Sequence, residues 1–276
     1  MAITRIDYSA ETVSAARSVL LELTHLLGEY RNQIVVVGGW VPELLLPDSP
    51  MPHVGSLDVD LALDHRSLED AHYQTLKALL ARRGYRQDER QPFIFHRAVP
   101  TATGNLDVQV DLLAGEYEGT GQSHRTQEFQ DARARKARGC DLAFELYSEI
   151  TIRGTLPGGG QDQGTIRVAG IVPFLVMKGM ALADRIKEKD AWDIYYCVHE
   201  YPGGPDALVH EFRRQATNRL VQEGLRKIAE KFGSPGHVGP KWAADFEEIT
   251  DAEERQRLQR DAFERVHYFL EQLGVK

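Results

Sequence analysis

Val35-Val-Val-Gly-Gly-Trp40 and, further on, Gly55-Ser-Leu-Asp-Val-Asp-Leu61 are the stretches whose reading decides the fold. The β-branched run Ile34–Val37 has the composition of a short buried strand, and it ends in a double glycine. A helix can begin at once over Trp40–Leu46, because Pro42 is tolerated in a first helical turn. In the second stretch, side chains alternate between the two faces of a strand. Asp58 and Asp60 therefore share one face, while Leu57, Val59 and Leu61 share the other. Two adjacent carboxylates repel unless a cation stands between them, and a divalent metal is the usual answer. A glycine-rich turn lets backbone N–H groups approach phosphate. Together these features imply a site for a metal-bound nucleoside triphosphate.

A two-metal site for phosphoryl or nucleotidyl transfer needs carboxylates that hold the ions about 3.5–4 Å apart. Leu106-Asp-Val-Gln-Val-Asp-Leu112 offers a third carboxylate. Asp107, Gln109 and Asp111 lie on one face, opposite Leu106, Val108, Val110 and Leu112. Asp111 is the better candidate because apolar residues flank it on both sides, and Asp107 is the alternative. Asp-x-Asp alone is common on solvated strand faces, and Gly-Gly alone is common in turns. The ordered set of strand, Gly-Gly, helix, Asp-x-Asp strand and Asp strand is far more specific. Ser56 suits either a triphosphate contact or a turn cap, and His53 reads as a loop histidine rather than a ligand.

This ordered set resembles the nucleotidyltransferase superfamily of the DNA polymerase β type, whose signature is h-G-[GS] followed by h-D-h-D-h. The resemblance implies nucleotidyl transfer, with catalytic metal on Asp58 and Asp60 and the triphosphate against the Gly38-Gly39 turn. One departure is that 18 residues separate Gly39 from Asp58, more than the superfamily usually has. Pro47-Asp-Ser-Pro-Met-Pro-His53 reads as the insertion.

A second cluster lies at 168–195. Lys178 and Arg185 are seven positions apart and share a helical face, and Asp190 and Asp193, three apart, share a face of the next helix. A lysine within the apolar run Phe174–Met180 needs a partner, because an unpaired buried ammonium is costly. A triphosphate or a carboxylate would serve. Alone, the cluster would read as a snorkelling lysine and ordinary ion pairs. Its arrangement, K-x6-R-x3-K-D-x2-D, resembles the last motif of the AbiEii-type nucleotidyltransferases, the toxin components of abortive-infection and toxin–antitoxin operons. That motif, K-x2-A-x3-R-x-K-x-[RK]-D-x2-D, is matched by Lys178, Ala181, Arg185, Lys187, Lys189, Asp190 and Asp193. The resemblance implies that Lys178, with Arg185, binds the nucleotide phosphates. It further implies that Asp190 and Asp193 support catalysis or orient that lysine.

The chain has 276 residues, 42% of them hydrophobic, enough for a sizeable core. Its net charge of −8 gives no bulk attraction to nucleic acid. Arg82, Arg83, Arg86, Arg90, Arg97 and the basic run 124–138 read first as solvated faces, and as phosphate contacts if RNA is the acceptor. Cys140 and Cys197, the two cysteines, lie in no zinc-like spacing. No signal peptide or membrane-length apolar run is read, so a cytoplasmic protein is expected.

The pattern predicts strands at 34–37, 57–63, 93–98, 106–113, 142–153 and 165–168, with a flexible connector at 156–164. Helices are predicted at 10–30, 40–46, 67–84, 173–187, 191–199, 205–232 and 251–273. The expected fold class is α/β (α+β), with a mixed-sheet nucleotidyltransferase domain over 1–170 and an all-helical domain over 171–276. The expected reaction is transfer of NMP from an NTP to an acceptor hydroxyl, with Asp58, Asp60 and Asp111 holding two Mg²⁺ ions. RNA or tRNA is a candidate acceptor and a cognate antitoxin a candidate partner; the sequence decides neither. Two alternatives are a small-molecule nucleotidyltransferase of the antibiotic-modifying kind and a non-catalytic nucleotide-binding module.

Overall fold

The computed structural model describes residues 4–64, 75–115, 126–129 and 132–275. The expected start of a helix at Ser67 lies outside the described residues, as do His124 and Arg125. The chain is mixed α/β, with its strands before Gly170 and helices alone after it. It forms two compact units. One comprises Ser9–Leu44 and Gly55–Gly170, and the other Met1–Tyr8, Leu45–Val54 and Ile171–Lys276. The expected boundary near 170 thus has two exceptions, the N-terminal residues and the presumed insertion, both of which group with the helices.

In the first unit, the described strands are β1 (Ile34–Val37), β2 (Asp58–Leu63), β3 (Arg86–Gln87), β4 (Ile94–Thr101), β5 (Gly104–Ala114), β6 (Thr126–Phe129), β7 (Ala132–Lys136), β8 (Tyr147–Thr155) and β9 (Gln161–Ala169). They form one mixed sheet in the order β3-β4-β5-β2-β1-β9-β8, with β7 on the far end of β5 and β6 on β7. β2 runs antiparallel to β1 and parallel to β5. Alternation sets the register: Val59, Leu61, Val110 and Leu112 are all inaccessible to solvent. Each such side chain contributes about 1.5–3 kcal/mol relative to an exposed one.

Helix α1 (Ala10–Leu26), capped by Ser9 accepting from the Thr12 N–H, buries Ala16, Val19, Leu20 and Leu23 along one stripe. Its Glu22 bonds Arg97 at 2.9 and 3.1 Å, and Arg97 pairs in register with Val108. Residues in register share a face, so α1 covers the apolar face of the sheet and the aspartates lie on the other. α2 (Trp40–Leu45) follows β1 after the two glycines, and α3 (Leu76–Arg82) follows Thr75, which caps it.

Several expected boundaries change. The apolar Leu142–Ala143 pair belongs to a short helix, α4 (Leu142–Glu145), and not to a strand. The second part of the 156–164 connector is ordered ladder. The hairpin turn covers only 156–160, closed by Leu156 N–H to Gly160 O at 3.0 Å, and Gln161–Gly164 pairs with β8. In the basic run, Thr126–Phe129 and Ala132–Lys136 are strands. α1 stops at Leu26 and gives way to a 3-10 turn over Gly28–Tyr30.

The second unit contains α5 (Ile171–Asp184), α6 (Glu188–Glu200), α7 (Gly204–Arg213), α8 (Arg219–Lys231), α9 (Val238–Phe246) and α10 (Ala252–Gln272). The stretch expected as one helix over 205–232 is two. Asn218 accepts from the N–H groups of Leu220 and Val221 and so begins a new helix. α9 was not expected, since Gly239 and Pro240 in its first turn mask its apolar face. α5 and α8 cross closely. A Cβ on Gly179 would stand 2.4 Å from the Gly224 carbonyl oxygen, so bare backbone is required there. Among the described residues, no helix is long and apolar enough to cross a membrane.

Candidate functional site

Asp60 and Asp111 are register partners on the parallel pair β2 and β5, and Asp58 is the partner of Gln109. The four side chains make a two-by-two array on the face away from α1. Strand spacing puts Asp60 and Asp111 roughly 5 Å apart at their backbones. Two ionised carboxylates at that separation repel by about 3 kcal/mol at an effective dielectric of ~20. Part of this is offset by Arg135, whose guanidinium lies 3.8 Å from Asp111 Oδ2.

Two of the carboxylates have side-chain donors on their own chain segment. Ser56, buried just before β2, donates its hydroxyl to Asp58 Oδ1 at 2.5 Å, so it orients the first aspartate. The Trp40 indole N–H donates to the Asp58 carbonyl at 2.7 Å and ties α2 to the start of β2. Gln109 donates its amide to Asp111 Oδ1 at 2.6 Å. Asp111 is 5% exposed, a buried carboxylate in the middle of an apolar strand. Val37 is the register partner of Asp60, and the chain turns at once through Gly38 with φ +69°. A Cβ on Gly38 would fall 1.9 Å from Asp60 Oδ2. The glycine is therefore needed twice, for its left-handed backbone and for the carboxylate lying against its Cα. Gly39 leads directly into α2.

Asp107 is not brought to this array. It faces Ala98 in register and takes both Arg86 hydrogen bonds, at 2.9 and 3.0 Å, on the surface. Arg97 is held by Glu22, while Arg82, Arg83 and Arg90 are exposed. Cys140 is buried, and its thiol pKa is pushed up by burial and by the Asp141 and Asp60 carboxylates, which makes it a poor nucleophile.

Among the described residues, no three His, Cys, Asp or Glu side chains converge as a ready-made metal cage. Mg²⁺ seldom uses one. It is usually held by one or two carboxylates together with substrate phosphates and water. Asp58, Asp60 and Asp111 are hard oxygen donors on one face, so the donor set fits Mg²⁺ in kind.

The second unit holds the lysine motif by itself. Lys178 Nζ lies 2.6 Å from Asp190 Oδ1 and 2.7 Å from Asp193 Oδ2. Lys189 Nζ lies 2.7 Å from Asp193 Oδ1, and Arg185 bonds Asp190 from the more exposed side. The apolar setting of Lys178 called for a partner, and Asp190 and Asp193 are carboxylate partners. Burial works against every one of these charges. For Lys178 the two carboxylates outweigh it, and its pKa is raised. Burial would likewise raise Asp190, but Lys178 and Arg185 hold it down at about 2, and Asp193 is well below the usual range. For Lys189 burial wins, and its pKa is lowered.

His53, read from sequence as a loop histidine, is also part of this network. Its side chain is inaccessible, its ring packs against both Trp192 and Tyr196, which stack on each other, and its Nε2 is 2.9 Å from Asp193 Oδ1. Burial, then Lys189, lowers its pKa to about 4, so the ring is neutral at pH 7 and Nε2–H donates to the ionised Asp193. Tyr196 donates to the Met51 carbonyl at 2.8 Å and Ser49 to Glu200 at 2.5 Å. The stretch that resembled an insertion is thus a fastened arm. The only sequence signal was that its histidine precedes Val54-Gly55 rather than a polar loop.

No protein-family model, curated protein or solved structure matches the chain.

Proposed function

We propose that the protein is a Mg²⁺-dependent nucleotidyltransferase that moves a nucleoside monophosphate from an NTP to an acceptor hydroxyl. The observation that carries this reading is the register pairing of Asp60 with Asp111, beside Asp58 and against the bare Cα of Gly38. Like charges placed face to face on a sheet are retained at a cost, and a cation-dependent task accounts for it. When bound, Mg²⁺ would supply positive charge for the triphosphate and lower the pKa of the attacking hydroxyl. Asp58, Asp60 and Asp111 would hold it, with Ser56 and Gln109 fixing two of the three carboxylates. The Gly38 and Gly39 backbone N–H groups are assigned to the triphosphate, following the resemblance of the turn. The acceptor oxygen attacks the α-phosphorus, the bond to the bridging oxygen breaks, and pyrophosphate leaves. The resemblance also gives Lys178 to the phosphates. Its observed partners are Asp190 and Asp193, so the reading rests on the sheet carboxylates.

The same resemblance favours RNA as acceptor and a cognate antitoxin as partner. The net charge of −8 favours a small-molecule hydroxyl instead. Incubating the full chain with Mg²⁺, each α-labelled NTP, total RNA and a small-molecule extract separates the two by where label appears. Label in neither fraction, nor in the protein, with any NTP would contradict transfer altogether. NTP binding without transfer would favour the non-catalytic module.

A further inference from the structure

We infer that Gln109 is a positioning residue that sets the metal affinity of the carboxylate array by holding Asp111. The inference rests on the proposed nucleotidyl-transfer reading and deepens it. Gln109 occupies the fourth corner of the array, in register with Asp58 and two residues before Asp111 on the same strand face. Three corners are anionic and this one is a neutral amide.

Its chemistry suits that corner. A carboxylate there would give two opposed anionic pairs and a further repulsion of the size already estimated for Asp60 and Asp111. An apolar side chain would leave Asp111 Oδ1 without its 2.6 Å donor in a residue that is 5% exposed. An amide N–H satisfies one oxygen of Asp111 and adds no charge. Oδ2 lies on the side of Arg135, whose guanidinium is 3.8 Å away. The Gln109 bond to Oδ1 restricts rotation of the carboxylate about χ2. Outer groups that orient a metal-binding carboxylate typically change metal affinity by about 10–100-fold when removed.

The same amide lies in a polar row across the sheet. His96 on β4 is its register partner on one side and Asp58 on the other. His96 lies 3.5 Å from both Asp88 and Asp107, whereas Gln109 donates to Asp111 within the array.

The test is Mn²⁺ binding to the full chain, followed by the loss of the free-ion electron paramagnetic resonance signal, with thermal unfolding in metal-free buffer as a control on folding. Gln109→Met keeps the side-chain length and removes the donor. It is expected to weaken Mn²⁺ binding about tenfold or more in a protein that the unfolding control shows to be folded at the assay temperature. Gln109→His restores a ring N–H and is expected to bring affinity back toward that of the wild-type protein. Unchanged affinity in Gln109→Met, or equal loss in both variants, overturns the inference. Asp60→Asn separates this outcome from failure of the underlying reading. If the wild-type chain binds no Mn²⁺, or Asp60→Asn binds it equally well, the carboxylate array is not a metal site and both proposals fall.

Discussion

The Asp60 carboxylate lies against the Cα of Gly38, leaving no room for a methyl group between the two. One glycine thus joins the turn after β1 to the central acidic residue of β2. Gly38→Ala meets two costs at once. The left-handed backbone costs about 1–3 kcal/mol in a residue with a side chain, and the new Cβ must push Asp60 aside. A drop in unfolding temperature together with loss of Mg²⁺-dependent transfer is expected, read by calorimetry and by labelled-NTP transfer. Wild-type transfer in a folded Gly38→Ala protein would show that the position of Asp60 is not critical.

The buried ion network should behave differently from surface pairs. Asp193 neutralises Lys178 and Lys189 and accepts from His53. Asp193→Asn leaves two buried ammonium groups short of charge, which typically costs about 3–5 kcal/mol. Arg86 and Asp107 are exposed, and Asp107→Asn should cost about 0–1 kcal/mol. Urea unfolding of both variants checks the contrast, and equal costs would contradict it.

His53 gives stability a pH dependence. The unfolded chain takes up a proton near the ordinary value of 6.5, whereas the folded chain resists protonation until about 4. Unfolding is therefore favoured progressively as pH falls from about 6.5 to 4, with a total loss of about 3 kcal/mol. Asp190 and Asp193 act in a lower window. Their contribution is present above the ordinary carboxylate value of 3.8 and is lost as pH falls through their depressed folded values. Unfolding at about pH 7 and pH 4.5 should show a smaller loss for His53→Gln than for the wild-type protein. Parallel losses would contradict the buried neutral histidine.

Much of the sheet was legible because its strands alternate. Val59 and Leu61, or Val110 and Leu112, fix which face is buried, and the aspartates are then forced to the other. The register was not legible. Nothing in the two local sequences says that Asp60 rather than Asp58 meets Asp111, because register depends on pairing across 51 residues of chain. The roles of Ser56 and Gln109 were hidden too, because a side chain's choice of partner is not written in strand alternation. Each bonds a carboxylate two positions along the chain; from sequence, Ser56 reads as a triphosphate contact or a turn cap, and Gln109 only as a member of the polar face. Pro47–His53 read as an inserted loop because proline and polar residues mark turns, while its anchors, Tyr196 and Asp193, lie more than 100 positions away. The break at Asn218 was missed because apolar periodicity runs on through both helices, and capping by a single side chain interrupts it.

Close helix crossing provides a test of the second unit. Gly179→Val would drive a side chain into the Gly224 carbonyl, where even a Cβ would sit at 2.4 Å. Overpacking of this kind costs about 1–3 kcal/mol or more, read as a lower urea midpoint. A neutral result would mean that α5 and α8 can separate freely.

The most direct test of the central claim compares Mg²⁺-dependent transfer from α-labelled NTP in the wild-type protein, Asp60→Asn, Asp111→Asn and Asp107→Asn. Loss of about a hundredfold or more in the first two variants, with near wild-type rates in Asp107→Asn, is the result expected from the register of β2 and β5. Transfer that survives in Asp60→Asn and Asp111→Asn, or that is lost equally in Asp107→Asn, would contradict a catalytic centre built on the Asp60–Asp111 pair.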